Sequence, residues 1–162
     1  LIPGARPNRR SSPFLEAVVA DHFTHFSCLF DTGSPDNIER AVALRDELAA
    51  ELERDEGCSL GFRMEADPNS WPGTLWISSE DYGEPEHVIS FVLRCAEAFD
   101  LHGRWGFAWA LTCSKPRLDG FGGSAQIIDL TARKSIDWID CEHWLAAVLA
   151  QGNPADALPE TI

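Results

Sequence analysis

The sequence predicts an α+β fold: one antiparallel sheet with two helices on one face, extended at the C-terminal end by a β-hairpin and a third helix. Two observations lead there. Between residues 22 and 112 the apolar residues recur with period 2, about 3.6, 2, 2, about 3.6 and 2, which reads β-α-β-β-α-β. The connections between these runs are short and carry the caps, prolines and glycines that end one element and start the next.

The first strand is expected over residues 22–30, HFTHFSCLF. Thr24, Phe26, Cys28 and Phe30 share one face, and Phe23, His25, Ser27 and Leu29 share the other. Ser34-Pro35-Asp36 then starts a helix: Ser34 caps, Pro35 suits the first turn, and Asp36 meets the positive end of the dipole. Its apolar arc is Ile38, Ala41, Val42, Leu48, Ala49 and Leu52, with Arg45 snorkelling at the edge, and Gly57 ends it. Cys58, Leu60, Phe62 and Met64 alternate with Ser59, Gly61, Arg63 and Glu65, as in a half-buried strand. A turn-rich loop over 67–73 joins this strand to the next, 74–79, as a hairpin that sends Leu75 and Ile77 to the core and Trp76 the other way. Glu84-Pro85-Glu86 opens the second helix, in which Val88, Phe91, Val92, Cys95 and Phe99 fit helical spacing, and His102-Gly103 ends it. The strand over 104–112 has Trp105, Phe107, Trp109 and Leu111 on one side and Gly106, Ala108 and Ala110 on the other. This order is the split βαβ, or ferredoxin-like, pattern.

The single domain is expected to span residues 14–152, with the ferredoxin-like core over about 22–112 and the extension over 113–152. A loop runs through Lys115, Arg117 and the glycines 120, 122 and 123. A hairpin over 125–139 follows, and then a helix capped by Asp140 with the stripe Trp144, Leu145, Val148 and Leu149. Residues 1–13, with three prolines and three arginines, read as a flexible arm, and 153–162 as a loose tail.

The formal net charge of −13 repels phosphate and anionic membrane surfaces, so nucleic acid and membrane are not the expected partners, and a basic protein is. High charge also simply keeps a domain soluble. Five cysteines with no C-x-x-C spacing read as reduced core thiols, and no signal-peptide pattern opens the chain, so a cytoplasmic location is expected. No run of about 18 apolar residues exists to span a membrane.

Candidate chemistry is sparse. The helix-free face of such a sheet can stack flat ligands or bases, here through His25, Trp76 and one side of the 104–112 strand, unless Trp144 and Leu145 cover it. Lys115 and Arg117 ahead of GFGGS could help hold a phosphate; yet those glycines lead into a strand, and a turn or bulge next to a hairpin explains them better. A ligand pocket is therefore sought around Trp105, Trp109, Lys115, Arg117, Trp76 and His25. His25 and Cys28 point to opposite faces, which spoils a shared metal site with His22. Cys113 or Ser114 with His102 or His143 lacks any supporting acid–base order. No catalytic residue, metal or cofactor is expected.

The segment Trp105-Gly106-Phe107-Ala108-Trp109 resembles the W-G-x-x-W motif of YubB-like ferredoxin-like proteins carried by plasmids and phages. The resemblance covers the ββαβ part and implies the same fold class and a mobile-element accessory role, with no catalytic residue to carry over. The expected function is a non-enzymatic acidic interaction domain that engages a basic or nucleic-acid-binding protein. The strip Asp36, Asp46, Glu47, Glu51, Glu53, Asp55 and Glu56 would make the contact. Alternatives are a small-molecule or nucleotide-binding domain or enzyme using the Trp105–Arg117 region, and a single-stranded nucleic-acid binder using the open sheet face. An exposed sheet edge could also pair two copies.

Overall fold

The computed structural model describes residues 20–66, 71–117 and 120–150. The elements are β1 (His22–Asp31), α1 (Asn37–Glu56), β2 (Arg63–Ala66), β3 (Thr74–Ser79), α2 (Pro85–Ala98), β4 (Arg104–Cys113), β5 (Gly122–Asp129), β6 (Lys134–Asp140) and α3 (Cys141–Ala150). The six strands form one sheet in the order β2-β3-β1-β4-β5-β6, and every neighbouring pair is antiparallel. The expected arm at 1–13 and tail at 153–162 lie outside the described residues.

Strand alternation decides where the core sits. Phe30 pairs with Leu75 and Cys28 with Ile77 across β1 and β3, while Phe26 pairs with Trp109 and Trp105 with Ile128 on the other side. These side chains share one face and join a single apolar cluster with Ala41, Leu48 and Leu52 of α1 and Val88, Phe91, Val92 and Cys95 of α2. Aromatic rings link the layers: Phe30 meets Phe91 at 6.1 Å and Trp105 at 5.7 Å, both edge to face. A bidentate ion pair ties the two helices outside this core, with Arg94 donating to Glu51 at 3.1 and 2.5 Å. Those hydrogen bonds, first among the causes, hold the Glu51 carboxyl below its ordinary range.

Local chemistry matches the sequence at most boundaries. Gly57 ends α1 at φ 66°, returning its N–H to the Glu53 carbonyl. Pro85 starts α2. The start of α1 differs from expectation: the helix begins at Asn37 with Asp36, not Ser34, at the cap position, and Ser34 accepts the Asp36 N–H in the turn before it. The end of β1 is locked by Thr32, fully buried, whose N–H and hydroxyl both donate to the Gly73 carbonyl, at 2.9 and 2.7 Å.

α2 ends at Ala98 with Phe99 as its cap, earlier than the expected stop at His102-Gly103, and two larger expectations are also corrected. The strand expected from Cys58 begins only at Arg63, because Gly61 adopts φ 72° and breaks the extended run. The Gly61 carbonyl instead accepts the Glu84 N–H, anchoring the entry to α2. Trp144 and Leu145 do not cover the sheet: no residue of α3 is buried, and those two are 54% and 51% exposed.

A one-sided core makes a contrast that urea unfolding can read. Phe91→Ala is expected to cost about 3–5 kcal/mol, as for large buried aromatics. Leu29→Ser, on the uncovered face of the same sheet, is expected to stay within about 0.5 kcal/mol, as for surface positions. Equal losses would mean that both faces are packed.

Candidate functional site

The alternation that sends Phe26, Phe30 and Ile77 to the helices sends Phe23, His25, Ser27, Leu29, Trp76 and Ser78 to the opposite face. No described helix lies over that face: α1 and α2 share the single apolar cluster on the other side, and α3 buries none of its residues. The face has a floor and a rim. Along β4 and β5 the residues facing one another are Ala108 and Ala125, Ala110 and Gly123, and Gly106 and Ile127, so the middle is almost bare backbone. Leu29 and Trp76 stand opposite each other on one side, and Ile127 and Ile139 on the other, all 40–50% exposed.

Trp76 is pinned. Its indole N–H donates to Ser27 Oγ at 2.8 Å, tying the ring to the neighbouring strand and leaving part of it to solvent. His25 Nε2 is 2.8 Å from Thr112 Oγ1 on the adjacent strand. Phe23 continues the aromatic row, 6.0 Å from His25 and 5.9 Å from Tyr82. Tyr82 reaches this row because the segment before α2 runs alongside β1: Thr24 donates to the Asp81 carbonyl and accepts from Gly83. A Cβ at Gly83 would lie 2.5 Å from the Phe26 ring, so only glycine lets the segment lie so close. The result is a cleft of about 410 Å³ lined by His25, Ser27, Trp76, Ser78, Ser79 and Glu80.

Of the residues expected to form one ligand pocket, His25 and Trp76 are brought together here, and Trp105 and Trp109 are not. Odd-numbered residues of β4 face the helices. Trp105 stacks on Phe107 at 5.3 Å and donates its indole N–H to the Leu29 carbonyl. Lys115 and Arg117 follow the far end of β4, a ten-residue strand, so Trp105 and Lys115 lie roughly 30 Å apart along it and cannot share a pocket.

The expected acidic strip is only partly free. Asp46 pairs with Arg45 and Asp55 with Arg54, each at 2.7 Å, and Glu51 is held by Arg94. Glu47 adds its charge to the field at Arg94. Asp36, Glu53 and Glu56 have no salt-bridge partner among the described residues.

A second concavity, of about 500 Å³, lies at the sheet end holding the close of β1 and the start of β4, between Asp31, Gly33, Asp100, His102 and Arg104. Asp100, at φ 51°, bonds Arg133, at φ 52°, at 3.1 Å and lies 3.5 Å from His102 Nε2. Asp31 with Gly33, the segment Asp100 to Arg104, and Arg133 come from three separate parts of the chain, and no motif announces them. Among the described residues no three His, Cys, Asp or Glu side chains are grouped to hold a metal.

Compared with family models, curated proteins and solved structures, the chain matches none.

All five cysteines are free thiols, and they differ sharply in environment. Burial pushes Cys28 and Cys95 up to about 12, whereas Cys58 and Cys141 are exposed. Alkylation of the native protein at mildly alkaline pH is expected to modify Cys58 and Cys141 first and to leave Cys28 and Cys95 untouched until the protein unfolds. The unfolded thiols, near 9, lose their protons before the buried ones, so these two groups lower stability as pH rises from about 9 toward about 12. Early mass-spectrometric labelling of Cys95 would contradict the packing of α2.

Proposed function

We propose that this chain is a non-enzymatic interaction domain with a ferredoxin-like core, whose uncovered sheet face and acidic exterior engage a basic protein. The order β2-β3-β1-β4 supports the ferredoxin-like reading: β3 separates β1 from β2, and β1 separates β3 from β4, so both crossovers are split. β5, β6 and α3 are then an extension beyond β4. The W-G-x-x-W resemblance supports a mobile-element accessory role, and free thiols agree with a reducing cytoplasm.

The observation that carries the interaction reading is the uncovered face itself. Its exposed Leu29, Trp76, Ile127 and Ile139 offer apolar contact. Carboxylates stand beside them: Glu65 is opposite Trp76, Asp137 is opposite Ile127, and Glu80 lines the cleft. A partner with an apolar contact and a basic rim complements such a surface, while the phosphates of a single-stranded nucleic acid are repelled by it. Asp36 at the cap of α1, and Glu53 and Glu56 along it, extend the acidic field.

The cleft beside Trp76 favours a second reading, a small flat ligand stacked on the indole and hydrogen-bonded by Ser27, Ser78 and Glu80. Quenching of tryptophan fluorescence by nucleosides, abolished in Trp76→Leu, is its expected signature.

Affinity capture with the wild-type chain and with Trp76→Ala/Leu29→Ser tests the first reading. Capture is expected to weaken as ionic strength rises from about 0.01 M to about 1 M, where the Debye length shrinks from about 30 Å to about 3 Å. The double variant is expected to lose at least about tenfold in capture, since anchors in interface centres carry most of the affinity. Capture indifferent to both salt and the double substitution would remove the sheet face as the contact.

A further inference from the structure

We propose that the cleft beside Trp76 is a recognition site for an arginine side chain, a proposal that rests on the basic-partner reading and names the group the sheet face takes from that partner. The cleft has a fixed aromatic wall. Trp76 lines it, 40% exposed, and the indole N–H bond to Ser27 Oγ at 2.8 Å keeps the ring in one orientation. A cation over an indole is attracted by the negative face of the ring.

The charge around that wall is negative. Glu80 lines the cleft, and Glu65 stands opposite Trp76 on β2. Asp81 lines an adjoining hollow of about 180 Å³ that shares Ser78, Ser79 and Glu80 with the cleft. Arg63, opposite Ser78, is the cation set among these carboxylates, and among the described residues it forms a salt bridge with none of them. The surplus is acidic. Acceptors are open as well. Glu80 and the Ser78 hydroxyl have no side-chain partner among the described residues, and Ser27 Oγ keeps a lone pair after accepting the indole N–H.

A guanidinium answers all of these features at once. It is planar, carries N–H donors along its edges, stacks on aromatic rings and is weakly hydrated. It can lie on the indole while its edges donate to Glu80 and to the serine hydroxyls. The ammonium of lysine is a compact, strongly hydrated point charge and loses more hydration on entering. A trimethylated ammonium has no donor and leaves Glu80 and the hydroxyls unmatched.

Titration of the isotope-labelled full chain with N-acetyl-arginine amide tests this, read by NMR at the Trp76 indole N–H, whose resonance is identified by its loss in Trp76→Leu. A saturable shift in the millimolar range is expected at low ionic strength, since one side chain offers little contact. The citrulline analogue keeps the shape without the charge and is expected to bind at least about fivefold more weakly, and the lysine analogue about threefold more weakly. Glu80→Gln is expected to weaken the arginine probe about threefold at low salt and to have no effect at high salt, as for an exposed charge pair. No saturable shift with arginine, equal binding of citrulline, or tighter binding of lysine overturns the proposal. The partner reading fails separately. An arginine shift in a chain whose capture ignores salt and Trp76→Ala/Leu29→Ser upholds the site and removes that reading. Salt-sensitive capture without an arginine shift overturns the site and leaves the reading in place.

Discussion

Phe30 lies fully buried where three elements meet: on β1, edge to face with Phe91 of α2 and with Trp105 of β4. Everything else in the fold is arranged around the constraint that this contact imposes. If Phe30 faces the helices, so do Phe26 and Cys28, and by register so do Leu75, Ile77 and Trp109. The opposite face is fixed by the same step. His25 and Trp76 share a cleft because the period of a strand is two, with no further instruction needed. The bare floor of Gly106, Ala108 and Ala110 is the reverse side of the aromatic ladder.

That constraint explains which parts of the fold could be read in the residues. β1, α1, α2 and β4 are long and strongly periodic, so their type and their buried faces follow from spacing alone. β2 starts later than alternation predicts because Phe62 and Met64 are both buried although a turn precedes them: Gly61 turns the chain and lends its carbonyl to Glu84. Alternation cannot distinguish a continuous strand from a loop residue and a strand residue that reach the same core. Closeness in sequence groups Trp105 and Trp109 with Lys115 and Arg117, but the strand sends the two rings into the aromatic ladder beside Phe107. In an extended strand ten residues is the width of the domain, and the side chains that share the cleft, His25 and Trp76, are separated by half the core.

α3 shows a different limit. Its stripe of Trp144, Leu145, Val148 and Leu149 has the spacing of a packed helix, and the helix forms beside β5 and β6, but the stripe stays 44–71% exposed among the described residues. Amphipathic spacing reports that a face is to be covered; it does not report by what. The polar concavity around Asp100, His102 and Arg133 was hidden for the converse reason: its members come from separate turns, where local conformation, including positive φ at Asp100 and Arg133, sets the geometry.

Charge decides what can approach these exposed surfaces. A body of net charge −13 repels its own copies over most approaches. On the sheet face Glu65, Glu80 and Asp137 stand beside exposed apolar residues, so a second acidic copy is repelled there.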